Sequence, residues 1–166
     1  MTFTTANTLS QSTGLADSVS AVFTLFNRLS TDEKLGVLWF IYEEMGRGAV
    51  TPAATGAARL QFAEGLLEQV RALSPNEQLT FMRDLVNQAR TPMARAYGVL
   101  TNNTKLAFWY QLAEMMKSGE VIDVPSNYKL SRSSSDVYSR ILALDFGQQI
   151  TVLRQAVVGM GYDPFA

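Results

Sequence analysis

The chain has 166 residues, with 14 Lys and Arg against 15 Asp and Glu, and it contains neither His nor Cys. Ser-His-Asp and Cys-His nucleophilic systems are thereby excluded. Zinc, haem and iron–sulfur centres lean on the same two residue types, which leaves only an all-oxygen Mg²⁺ or Ca²⁺ site, and no acidic loop with that spacing occurs. A net charge of −1 and a pI near 5.4 give no electrostatic reason to attract a phosphate backbone, so nucleic acid is not an expected partner.

The first fourteen residues are uncharged and rich in Thr, Ser, Asn and Gln, and read as a polar arm (1–14) preceding a single domain (15–166). They lack the basic and apolar regions of a signal peptide, which predicts an intracellular protein. A helix is expected over 16–28. Ser30-Thr-Asp-Glu33 is a capping box that opens a second helix over 31–46. A loop follows at Arg47–Gly56, with Pro52, and then a helix over 57–72. Ser74-Pro-Asn-Glu77 repeats the capping device with Pro at the first helical position, opening a helix to about Gln88. Thr91-Pro92 opens a short one. Three- and four-residue apolar spacing predicts helices over 102–118, 134–144 and 146–160, with a mostly polar loop at Glu120–Ser133. Alternating strand patterns are absent, so the fold class is all-α. The longest strongly apolar run, Val37–Tyr42, has six residues, far short of the ~20 that span a bilayer.

Internal repetition decides the architecture. Gln78-Leu-Thr-Phe-Met-Arg-Asp-Leu-Val86 aligns without gaps to Gln149-Ile-Thr-Val-Leu-Arg-Gln-Ala-Val157, an offset of 71 residues. Leu38-Trp39 with Glu44-Met45 aligns to Phe108-Trp109 with Glu114-Met115 at an offset of 70. Two pairs at nearly one offset predict duplication. Two similar helical halves packed face to face leave a seam, and that seam is a natural site for a long ligand.

Leu35, Leu38, Trp39, Tyr42 and Met45 share one helix face, and Leu106, Trp109, Ala113 and Met116 share another, with Tyr110 and Leu112 beside them. Leu79, Met82 and Val86 from one Gln-Leu-Thr helix, and Ile150, Leu153 and Val157 from the other, complete the lining. Such stripes are ordinarily core. Val37–Tyr42, however, is apolar all the way round, so it must cover something apolar on both faces. Flat aromatic faces and polarisable thioethers suit a long, flat, apolar molecule. Glu43 and Glu44 point about 100° apart on a helix and cannot form a close catalytic dyad. No polar constellation suggests an enzyme. A helical protein–protein interaction module and a carrier of isoprenoid or fatty acyl chains are the alternatives.

Leu35-Gly-Val-Leu-Trp-Phe-Ile-Tyr-Glu-Glu-Met-Gly46, Lys105-Leu-Ala-Phe-Trp-Tyr110 and Gly147-Gln-Gln-Ile-Thr-Val-Leu-Arg-Gln-Ala-Val-Val158 together resemble the N-terminal domain of the orange carotenoid proteins. The resemblance runs from about residue 15 to 162, and the chain is similar to the family's stand-alone helical carotenoid proteins. It implies two interleaved four-helix bundles with a tunnel between them. The implied ligand is a non-covalently bound ketocarotenoid such as canthaxanthin or echinenone, serving photoprotection as an antenna or singlet-oxygen quencher. Matched residue by residue, the implied contacts are Leu35, Trp39, Tyr42, Gly56, Met82, Leu106, Trp109, Tyr110, Met116, Val124, Pro125, Tyr128 and Ile150.

The resemblance further implies partner contact at Arg154, and Arg83, its repeat equivalent, would complete a small basic pair. It implies a homologue of the family's C-terminal domain as carotenoid donor, and a cytoplasmic location near the thylakoid membrane or phycobilisome. Without that second domain, light switching is expected to be lost. The sequence departs from the family at three places. Arg83 replaces a smaller residue, often Cys; Val124 replaces a frequent Ile; and Leu25 stands where phycobilisome-binding members carry an exposed Arg. The last change argues against phycobilisome docking.

Overall fold

In the computed structural model, residues 18–46 and 60–165 are described, and all of their regular structure is helical. The arm expected at 1–14, the loop at 47–56 and the candidate Gly56 lie outside the described residues. The helices are α1 (18–27), α2 (Thr31–Gly46), α3 (Leu60–Arg71), α4 (Pro75–Val86), α5 (Pro92–Gly98), α6 (Asn102–Ser118), α7 (Arg132–Leu142) and α8 (Phe146–Val158).

Local chemistry fixes most of the starts. At α2 the Ser30 amide donates to Glu33 Oε1 at 3.2 Å while the Glu33 amide donates to Ser30 Oγ at 3.3 Å. Ser74 and Glu77 make the same reciprocal pair at α4. Thr91 and Thr101 cap α5 and α6, satisfying amides that have no partner inside the helix. Helix α7 starts two residues before the expected 134, because the Ser131 hydroxyl accepts from the Ser134 amide and so moves the cap upstream. A capping box of Asp145 and Gln148 opens α8, at an offset of 71 from that of α4.

The duplication extends to packing. Helix α2 of the first half packs on α4 and on α7 of the second, and α6 of the second packs on α8 and on α3 of the first. Under the repeat, α2 corresponds to α6, α3 to α7 and α4 to α8, so the two halves exchange helices reciprocally. This interleaves two helical bundles along the α2–α6 seam. Lys34 lies with Nζ 6.0 Å from the Phe26 ring centroid, and Lys105, 71 positions later, lies 5.5 Å from that of Tyr97.

The six-residue apolar run of α2 divides between two environments. Val37 and Ile41 are fully buried in the core, Phe40 meets Tyr138 of α7 edge to face at 5.8 Å, and Trp39 and Tyr42 turn to the seam. Glu44 is exposed, as a solvated face requires.

The buried Gln78 joins the first half to the segment 119–131. Its Nε2 donates to Val70 O at 3.1 Å and its Oε1 accepts from the Ile122 amide at 2.8 Å. Gln149, its repeat equivalent, holds the turn before α8 in the same way through Leu144 O at 3.0 Å. The last carbonyls of α8 take side-chain donors from elsewhere. Tyr97 Oη reaches Val157 O at 2.5 Å, Lys105 Nζ reaches Val158 O at 3.2 Å, and Gln88 Nε2 reaches Gly159 O at 2.6 Å. A cation there also complements the helix dipole, although burial lowers the Lys105 ammonium's affinity for its proton. The tail after α8 then docks through the Tyr162 amide onto Ala94 O at 3.1 Å. A Cβ on Gly98 would lie 2.1 Å from Tyr162 O, so only glycine permits this approach.

Candidate functional site

A half-open cavity of about 380 Å³ lies in the seam. Its first wall is α2, whose contributions run from Asp32 to Met45, and the rise over those fourteen residues makes a slot ~20 Å long. Leu35, Leu38, Trp39 and Tyr42 lie between those ends. The opposite wall is α6, with Leu106, Trp109, Tyr110 and Met116. Leu79 and Met82 of α4 and Leu153 and Val157 of α8 come from the two copies of the Gln-Leu-Thr motif. The segment held by Gln78 adds Ile122, Val124, Pro125 and Tyr128.

The aromatic groups are fixed by contacts outside the cavity. Trp39 lies 5.8 Å from Tyr42, which meets Tyr110 edge to face at 5.6 Å and so joins α2 to α6 toward the Met45 end of the slot. Tyr42 Oη donates to the Glu114 carboxylate, and burial together with that carboxylate holds the phenol protonated far above its usual range. The Trp109 indole N–H donates to Tyr97 Oη at 2.9 Å, and Tyr97 passes its own proton's bond to Val157 O. Tyr97 is fully buried, and burial strongly raises its pKa. A two-bond chain therefore ties the wall of α6 to the wall of α8. At the other end, a Cβ on Gly36 would lie 2.6 Å from Tyr128 Oη, so the glycine lets this ring lie against α2.

Charge enters at the rim. Arg83 Nε and NH2 donate to the two carboxylate oxygens of Asp32 at 2.9 and 3.0 Å, a bidentate pair that joins α4 to the start of α2. The Asp32 partnership holds Arg83 more firmly protonated than usual. Asp123 is the other charged residue of the described lining. Among the described residues no group of three or more acidic side chains could hold a metal ion, and no helix is long and apolar enough to cross a membrane.

Of the thirteen candidate contact residues, eleven line the cavity. Gly56 is not among the described residues. Ile150 shares the stripe of Leu153 and Val157 but lies one turn nearer the start of α8; it is half-buried against the core and is not part of the lining. Arg154 is exposed on α8, without a hydrogen bond or ion pair among the described residues. The basic pair expected from Arg83 and Arg154 is altered by Asp32, which already neutralises Arg83. Sequence reasoning missed Tyr97, Asp32 and Asp123. Tyr97 carries the only local signal, a large aromatic at the repeat position of Phe26.

Comparison with known proteins places this geometry. The profile of the family described as "Orange carotenoid protein, N-terminal" matches residues 12–163. An orange carotenoid-binding domain-containing protein of Nostoc sp. strain PCC 7120 is 54% identical over 171 aligned residues, covering 100% of this chain and 99% of that one. The structure of the Anabaena (Nostoc) sp. PCC 7120 orange carotenoid protein binding canthaxanthin superposes with a TM-score of 0.82 at 46% identity, covering 90% of this chain. This chain spans 48% of that protein's length. The red carotenoid protein of the same organism, also binding canthaxanthin, superposes with a TM-score of 0.76 at 36% identity, covering 87% of this chain and 99% of its own. An apolar slot between two Trp helices, a profile match over nearly the whole chain and a relative 54% identical along 99% of its length lead to one conclusion: the chain belongs to the orange carotenoid protein N-terminal domain family.

Proposed function

We propose that this protein binds one ketocarotenoid, such as canthaxanthin or echinenone, non-covalently in the α2–α6 slot and protects against light damage by dissipating excitation or quenching singlet oxygen. The observation that carries this reading is the slot itself: ~20 Å of mostly apolar wall along α2, with the aromatic faces of Trp39, Tyr42 and Tyr110 on it, suits the conjugated part of a carotenoid. The relatives that bind canthaxanthin support the same ligand. The eleven lining candidates are the proposed pigment contacts, and Gly56 and Ile150 remain proposed contacts as well.

The mechanism is physical. The conjugated chain takes up energy and releases it as heat, while the aromatic walls set its planarity and distance from donors. The site is read as one that binds rather than catalyses, because its lining is apolar apart from the Asp32–Arg83 ion pair, Asp123 and the tyrosine hydroxyls. The proposed pigment is one whose spectrum light does not switch. A homologue of the family's C-terminal domain is the proposed carotenoid donor. Antenna docking is the weaker role, since Arg83 is neutralised and Arg154 is left as a single cation. The proposed place of action is the cytoplasmic side of the photosynthetic membrane. Singlet-oxygen phosphorescence tests the function: pigment-loaded protein should shorten its lifetime and apo-protein should not, while strong light should leave the loaded protein's absorption unchanged. Equal lifetimes for loaded and apo-protein would reject it.

A further inference from the structure

The slot is apolar along most of its length but polar at the Asp32 end, away from the Tyr42–Tyr110 pair. There Asp32 and Arg83 form part of the lining, and the Tyr128 ring sits one α2 turn from Asp32, over Gly36. Arg83 spends two of its five N–H groups on Asp32, which leaves the others to donate. Tyr128 Oη has no hydrogen-bond partner among the described residues, and its ring is half-buried between Gly36 and Phe40, whose centroid is 6.4 Å away. Two donors of different kinds therefore face the same end of an otherwise greasy slot.

We propose that this end receives the oxygen-bearing ring of the carotenoid, with Arg83 and Tyr128 donating hydrogen bonds to its carbonyl oxygen, and so selects ketocarotenoids over the hydrocarbon and fixes which ring enters last. The inference rests on the slot being the pigment site. Its physical basis is the asymmetry of desolvation: a hydrocarbon ring placed over these groups strips water from the ion pair and the phenol and returns nothing, whereas a ring ketone accepts what they donate. Asp32 has a positioning role, because its bidentate grip orients the guanidinium plane. A one-keto pigment such as echinenone should then bind in one direction, with its plain ring toward Tyr42 and Tyr110.

Competitive loading tests this. Apo-protein is offered equimolar canthaxanthin and β-carotene, and the bound pigment is extracted and quantified. The native chain should take up canthaxanthin with about tenfold preference, the ratio expected for one charge-assisted hydrogen bond. Arg83→Leu should lower the ratio severalfold, Arg83→Lys should restore part of it, and Arg83→Leu with Tyr128→Phe should bring it near one. Independently, the ketone stretching band of bound echinenone should lie below its frequency in hydrocarbon solvent and return toward it in the double variant. An unchanged ratio in the double variant, or a band at the solvent frequency in the native protein, overturns the proposal while leaving the slot as the pigment site. Failure of the native chain to take up either pigment overturns both.

Discussion

Tyr97→Phe removes one oxygen from the centre of the molecule, and the structure sets what that should cost. Tyr97 Oη accepts from Trp109 Nε1 at 2.9 Å and donates to Val157 O at 2.5 Å, at a site with no solvent exposure. Removing it leaves the indole N–H and the carbonyl without that partner, at ~1–3 kcal/mol for each fully buried group. The carbonyl keeps a backbone contact from the Met160 amide at 3.4 Å, and the half-buried indole can turn toward the slot, so the lower part of that range applies. A total of about 2 kcal/mol corresponds to roughly 4–8 °C in Tm for a domain of this size. The ring itself stays, with its edge-to-face contacts to Phe108 and Trp109. Circular dichroism should therefore show a native helical signal melting several degrees lower, and tryptophan emission should shift because the Trp109 ring has lost its tether. Pigment affinity should fall as well, since α6 and α8 are no longer tied across the slot. A variant with unchanged Tm and unchanged emission would refute the claim that this bond chain holds the Trp109 wall.

Trp109→Ala should cost about 3 kcal/mol of packing, at the low end for a large aromatic because the ring is only half-buried, and should shift the bound pigment's absorption; full pigment with an unaltered spectrum would place the ligand elsewhere. Hydrogen bonds from Ser131 and Ser30 hold the Glu33 carboxyl below its ordinary value, and Ser74 does the same for Glu77. Groups whose folded pKa is depressed contribute stability above the unfolded value, and that contribution is lost as pH falls through the folded one. The chain should thus lose stability below about pH 4.5, and a Glu33→Gln, Glu77→Gln double variant should show a shallower acid limb in Tm against pH. Arg154→Leu should keep its pigment, since the guanidinium is exposed on α8 and outside the cavity lining; a colourless variant with intact helicity would reverse that assignment. Phycobilisomes mixed with loaded protein at low salt should keep their emission; a strong, salt-sensitive loss would instead assign the chain to antenna quenching.

What the sequence made legible was whatever acts over one turn or one repeat. The Ser30–Glu33 and Ser74–Glu77 boxes predict helix starts that the structure shows to the residue, because both partners lie within four positions. The offset of 71 between Gln78 and Gln149 exposed the duplication, and with it the two Trp helices that face each other across the slot. Helix ends were less legible: α4, α7 and α8 each stop two residues before their expected limits, and at α8 side chains from distant elements, Lys105 and Gln88, take over the final carbonyls. Contacts made across the fold left no periodic signal. Asp32 and Arg83 are 51 positions apart, and Tyr97 and Val157 are 60 apart, so neither the rim pair nor the bond chain behind Trp109 could be read from spacing. Ile150 fits its stripe by periodicity, yet it is not in the described lining, since periodicity assigns a face of a helix and says nothing of how far along it a cavity reaches.

The most direct test of the central claim is colour. The protein is produced in a host that makes ketocarotenoids, purified without added lipid, and its pigment is extracted and counted against protein. The account predicts an orange-to-red protein carrying about one ketocarotenoid per chain or per bundle seam. Repeated purification of a helical, well-folded and colourless protein from that host would contradict it, and would leave the slot between α2 and α6 to some other apolar partner.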